Sequence, residues 1–200
     1  MKIKKGTILL DLTKSENELW KEVHKKNRWS INKARKNGVI TSYENDKDKC
    51  YELYKEVCKR NFLIPNSKEK VFKGYTMCAY FMNKLVAFSV VNVKDDIVTL
   101  SYNATDYNYK DTQANVLLYW NTILWSKTRI RYKTFSLGGI DLNAKYRRDN
   151  DRFKQRWGGK LIKIENDVTL LQYIWWKYLR HITFIRKLKY KIQLFFKPIK

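Results

Sequence analysis

Glycine and proline are scarce in this chain, seven and two among 200 residues. Long flexible or proline-rich linkers draw on those residues, so their shortage argues for a folded protein without such segments. Cysteine is limited to Cys50, Cys58 and Cys78. An odd count with no C-x-x-C pair and no histidine at ligand spacing argues against a disulfide framework or a zinc site. Cys58 follows Tyr54 by four residues in a helical pattern, which makes it a buried helix position. Histidine is rarer still, with His24 in a basic helix and His181 near the end of the chain. Neither can be ordered with a serine or cysteine into a triad, so hydrolase chemistry is not expected. No apolar run approaches the ~20 residues of a spanning helix. The basic start MKIKKGTILLDL has too short an apolar stretch for a signal peptide, and Asp11 interrupts it. The expected location is a reducing cytoplasm.

Acid is the most telling shortage. Nineteen Asp and Glu against 42 Lys and Arg leave a net charge of +23, well beyond what solubility asks for. Such a field concentrates polyanions at the surface: nucleic acid, anionic lipid or phosphorylated precursors. A chain of this length suits one domain and buries roughly 70% of its unfolded surface. Its apolar and aromatic content supplies that core.

Residues 7–12 predict a short strand. Ser15 with Glu18 three residues on forms a capping-box signal. From there to Gly38 the pattern is helical, with Leu19, Val23, Ile31 and Ala34 as the apolar positions and a break between two helices at Arg28–Trp29. A strand through Val39 and Tyr43 follows, then a helix over 47–61. Residues 76–82, 84–93 and 96–104 are β-branched and aromatic, separated by tight turns, and predict an antiparallel meander. A long helix over 111–128 places Ala114, Leu117, Leu118, Ile123 and Trp125 inward. A strand over 132–137 runs into Gly138-Gly139, and a short helix at 149–156 precedes a strand at 160–165. This order predicts an α/β domain over residues 1–167, with a mixed central sheet and helices on both faces. Residues 168–200 form a basic, aromatic helical tail with no acid and eight Lys or Arg. Trp175, Leu179, Ile182 and Ile185 share helical spacing there. The part through about Leu179 is expected to pack on the core, and residues 180–200 to meet an anionic membrane surface.

Three segments carry a family resemblance. RWSINKARKNGV (Arg28 to Val39) resembles the basic segment of the Fem family of aminoacyl transferases, which build the peptide cross-bridges of bacterial cell walls. ANVLLYWNTILWSKT (Ala114 to Thr128) is similar to that family's long helix. FSLGGI (Phe135 to Ile140) followed by RFKQRWGGKLIK (Arg152 to Lys163) resembles its Gly-Gly region. The segments occur in family order and span most of residues 7–165. The resemblance implies a single acetyltransferase-like (GNAT) domain, where the family has a pair. It also implies amide formation from aminoacyl-tRNA as donor, with a phosphorylated or lipid-linked envelope precursor as acceptor. It places Phe153 and Lys154 beside the reacting ester, with Gly138 and Gly139 in the substrate region and no metal or other cofactor.

Arg28, Lys33 and Lys36 are a second candidate set for binding phosphates, Arg as a bidentate partner and Lys as a point charge. A solvated helix face reads equally well for these three, and Lys154 has the same alternative. The stretch NATDYNYKDTQAN between the meander and the long helix contains no glycine and carries Asp106 and Asp111. Two carboxylates at a helix start oppose a pyrophosphate, which disfavours coenzyme A. An acyl-thioester-dependent N-acyltransferase and a non-catalytic tRNA- or membrane-binding module remain the alternative functions.

Overall fold

The computed structural model describes residues 2–43, 46–142, 148–177 and 183–195. Strand β1 (Lys2–Asp11) leads to α1 (Glu16–Glu22), opened by the expected capping box. The Ser15 hydroxyl accepts from the Glu18 N–H at 3.2 Å, and the Glu18 carboxylate accepts from the Ser15 N–H at 2.7 Å. The helical break falls at Val23–His24, not at Arg28–Trp29. Val23 is extended, and His24 caps α2 (Lys25–Lys36), its Nδ1 accepting from the Lys26 N–H. Strand β2 (Ile40–Tyr43), α3 (Lys47–Arg60) and the single turn α4 (Lys68–Val71) precede the meander. The meander comprises β3 (Tyr75–Phe81), β4 (Lys84–Lys94) and β5 (Ile97–Thr105).

The long helix expected over 111–128 is divided. A 3-10 turn (Tyr107–Thr112) gives way at Gln113, whose φ is 61°, to α5 (Ala114–Trp125), which ends in one wide π-helical turn (Ser126–Ile130). Of its expected inward residues, Ala114, Leu117, Leu118 and Ile123 are buried. Trp125 is partly buried against the same core and stacks on the half-exposed Tyr43 with ring centroids 5.4 Å apart. Strand β6 (Thr134–Asp141) continues through Gly138-Gly139 where a stop was expected. Helix α6 (Arg148–Gln155) and β7 (Lys160–Asp167) close the sheet, and α7 (Leu170–Lys177) and α8 (Thr183–Phe195) form the tail.

All seven strands make one mixed sheet in the order β2-β3-β4-β5-β6-β1-β7, antiparallel except for the β5–β6 pair. One face carries α1, α2 and α5 over a core that includes Leu19, Ile31, Ala34, Leu118 and Trp120. The other carries α3 and α4 over a smaller core built on Cys50, Leu53, Phe72 and Phe88. Burying both faces accounts for the near-continuous apolar run of β4. Cys58 is buried in α3 as expected, and Cys50 and Cys78 place their sulfurs 3.4 Å apart as free thiols.

Candidate active site

The parallel pairing of β5 with β6 lasts three residues, Ile97–Thr99 against Thr134–Ser136. Bulges in both strands mark where it ends. On β5, Ser101 is the extra residue, since Val90 pairs with Tyr102 and Val91 with Leu100. On β6, Leu137 and Gly138 together oppose Ile8 of β1. A bulge bends its strand and raises the local twist, and beyond these two the ladder between β5 and β6 stops.

Gly138 makes its bulge possible. Its φ of +73° is one that side-chain-bearing residues rarely adopt, and a Cβ there would lie 3.1 Å from the Leu100 carbonyl oxygen. Polar contacts pin the turn from below. The Gly138 N–H donates to the Ser136 hydroxyl at 3.2 Å, and the Thr7 hydroxyl donates to the Gly138 carbonyl at 3.2 Å. Above it, the Lys154 ammonium of α6 donates to the Gly139 carbonyl at 2.9 Å and lies 3.6 Å from where a Gly138 Cβ would stand.

The structure thus brings Lys154, Gly138 and Gly139 together. Phe153 is adjacent but turned into the protein, packed edge-on against Tyr119 of α5 (5.0 Å) and Trp157 (5.8 Å). Tyr119 in turn stacks on Trp157 at 5.7 Å. Burial pushes the Tyr119 phenol far above its ordinary range, so it stays protonated at any working pH.

The set Arg28, Lys33 and Lys36 is not gathered around Lys154 and the glycine pair. The Arg28 guanidinium donates to the carbonyls of Trp20, Lys21 and Val23, at 3.3, 3.1 and 2.9 Å, and so caps the C-terminus of α1. Lys33 sits over the exposed Trp29 ring at 5.1 Å. Lys36 is exposed at the end of α2, from which the chain turns into β2, with β3, β4 and β5 between that edge strand and β6.

The segment joining β5 to α5 corrects an electrostatic expectation. Asp106 is committed to the protein: it pairs with Lys84 at 3.3 Å, and its carboxylate accepts from the Asn108 N–H. The cavity in front of α5, about 270 Å³, is lined by cations and rings, among them Arg60, Tyr107 and Lys110. Tyr107 is 56% exposed, with the Arg60 guanidinium 5.2 Å and the Lys110 ammonium 4.4 Å from its ring. Neither Asp106 nor Asp111 lines this cavity, although the exposed Asp111 lies near Lys110 at its edge. What the segment lacks is free backbone donors. The N–H groups of Asn108, Tyr109, Gln113, Ala114, Val116 and Leu117 all find acceptors within it. Few backbone amides are left to cradle a pyrophosphate, whereas side-chain cations are available to separate phosphates.

Two carboxylates escaped sequence reasoning. Asp141 closes the Gly-Gly strand and Asp151 stands one helical turn before Lys154, and both are buried and engaged in polar contacts. Asp141 follows the glycine pair by two residues, whereas Asp151 carried no local signal. Among the described residues there is no group of three or more potential metal ligands.

No protein-family model and no curated protein matches this sequence. Solved structures do. FemX superposes with a TM-score of 0.66 at 11% identity, over 84% of this chain and 63% of its own. The fold is the acetyltransferase-like fold of FemX. The C-terminal domain of a putative lysylphosphatidylglycerol synthetase from Agrobacterium fabrum gives 0.62 at 12% identity, over 82% of this chain and 60% of its own. L-PGS from Bacillus licheniformis gives 0.59 at 13%, over 94% and 66%. The chain therefore spans about two thirds or less of each of these Fem-like neighbours.

Proposed function

We propose that this chain moves an amino acid from aminoacyl-tRNA to an amine of a phosphorylated or lipid-linked cell-envelope precursor. The observation that carries this reading is the Lys154 ammonium, anchored on the Gly139 carbonyl beside the point where β5 and β6 stop pairing. In the reaction the acceptor amine attacks the ester carbonyl and the new C–N bond forms. The C–O bond to the terminal ribose then breaks, and the proton lost by the amine ends on the departing ribose oxygen. Negative charge builds on the carbonyl oxygen along the way, and a fixed ammonium beside it offsets that charge. Partial burial strengthens the interaction. Phe153, held between Tyr119 and Trp157, keeps the helix bearing Lys154 in place. Because the Tyr119 phenol is kept neutral by burial, it is not the base, and the acceptor must arrive as the free amine.

The donor reading is supported by Tyr107 with Arg60 and Lys110, a ring on which an unpaired base can stack and cations for the flanking phosphates. The net charge of +23 favours the same partner. Titration with aminoacyl-tRNA and with acetyl-CoA tests it. The expected result is tRNA binding that weakens steeply as salt rises, and that Tyr107→Ala weakens about tenfold. Micromolar binding of acetyl-CoA with no salt-sensitive binding of tRNA would overturn this reading in favour of the acyl-thioester alternative.

A further inference from the structure

The tail is arranged differently from the sequence expectation, in which the first part packs inward. Helix α7 opens with its own reciprocal cap, the Thr169 hydroxyl accepting from the Gln172 N–H and the Gln172 side chain accepting from the Thr169 N–H. Yet its apolar residues face solvent: Leu171 is 79% exposed, and Leu170, Ile174 and Trp175 are exposed beside it. Helix α8 is the one anchored to the domain. Tyr190 packs edge-on against Phe62, after the end of α3, with ring centroids 6.2 Å apart, and the Lys187 ammonium lies 5.1 Å from that ring. On the face of α8 turned away from Phe62, Phe184, Leu188 and Ile192 recur every four residues, and all are exposed, Phe184 at 72%. The two helices meet in a shallow cleft of about 420 Å³ where Trp175, Ile185, Leu188 and Ile192 converge and the Lys189 ammonium sits 5.0 Å from the Trp175 ring.

We infer that α7 and α8 form a docking surface for an anionic lipid bilayer. Their joined apolar face is contiguous, and water would not be left against it without a partner. The flanks identify that partner. Lys187, Lys189 and Lys191 are exposed around the apolar row of α8, and no acid occurs anywhere after Asp167. An apolar strip flanked by cations and by no acid suits acyl chains beneath negatively charged headgroups. A nucleic acid would use the cations but gains nothing from Leu171, Phe184 or Ile192. No described helix is long and apolar enough to cross a membrane, so the contact lies in the interface plane. The inference rests on the tail alone and is independent of the transfer proposed for Lys154.

Co-sedimentation of the full chain with vesicles tests it, using equal parts of phosphatidylglycerol and phosphatidylcholine, or phosphatidylcholine alone. The chain should bind the mixed vesicles at low salt and bind pure phosphatidylcholine at least ~10-fold more weakly, because the cations then have no counter-charge. Leu188→Ser with Ile192→Ser should weaken binding to the mixed vesicles by ~10-fold or more. Lys189→Gln with Lys191→Gln should do so at low salt and have little further effect at high salt. Brominated acyl chains should quench the tryptophan emission of the unaltered chain, a reading that needs no variant to fold. Undiminished vesicle binding by the serine variant overturns the proposal, as does the absence of quenching. So does a stable dimer of the chain that the serine substitutions separate, since a second copy would then cover the face.

Discussion

At Gly138 and Lys154 the backbone and the charge depend on each other. The bulge brings the Gly139 carbonyl to the Lys154 ammonium, which a Cβ at 138 would meet in ordinary contact at 3.6 Å. That Cβ would press on the Leu100 carbonyl oxygen at 3.1 Å at a φ of +73°, so Gly138→Ala should lower both transfer, read in the assay below, and stability, read in a urea melt. At Gly159 only stability is at stake. A Cβ there would stand 2.4 Å from the Leu9 carbonyl oxygen at a φ of +78°, far from any proposed chemistry. Gly159→Ala should lower stability by about 2 kcal/mol or more in a urea melt, adding strained φ to overlap with backbone. A loss under ~0.5 kcal/mol would mean that β1 and β7 adjust freely. Lys154 was legible as a candidate because a motif singles it out of 42 cations. Its contact was not legible, since the Gly139 carbonyl comes within reach only through a bulge on another strand. Asp141 and Asp151 went unread for a related reason: nothing local in a sequence says that a carboxylate is buried.

Helices and strands show which local signals survive packing. Ser15 and Glu18 cap α1 as read, and Leu19, Val23, Ile31 and Ala34 are all core, because capping and 3.6-residue periodicity are settled within a few residues. The break between α1 and α2 was misplaced. It is held at His24 by a hydrogen bond from its N–H to the Arg156 carbonyl, more than a hundred residues away in sequence, and periodicity cannot see that. Trp125, read as inward, is partly buried against the core, and its ring also covers Tyr43 and Tyr75 at the ends of β2 and β3.

Arg28 carries a prediction at this scale. As a cap on three carbonyls, Arg28→Ala should cost about 1–3 kcal/mol of stability and leave the salt dependence of tRNA binding unchanged. As a phosphate contact it would leave stability nearly alone and reduce the salt slope by about one. A denaturant melt and a salt titration on the same variant separate the two.

For the whole molecule, the layered α/β architecture followed from the order of elements, whereas the end of the β5–β6 ladder, where the proposed site lies, arises from two bulges that the sequence does not announce. The +23 charge is likewise readable as a preference for polyanions, but only the structure sets Arg60 and Lys110 around Tyr107 and a cation-bordered apolar face on the tail. On the function and the docking surface proposed above, donor, chemistry and surface attachment would lie on one chain that spans about two thirds or less of its structural neighbours.

The most direct test of the central claim is a transfer assay. The unaltered chain and Lys154→Met would each be incubated with tRNA charged with labelled amino acids and with amine-bearing envelope precursors from bacterial membranes. The account predicts label in the precursor through a bond that withstands mild alkali, as an amide does and an ester does not. That incorporation should be abolished by ribonuclease pretreatment of the donor and lowered ~10²-fold or more in Lys154→Met, with tRNA binding nearly unchanged. No incorporation from any charged tRNA, or equal incorporation by Lys154→Met, would contradict it.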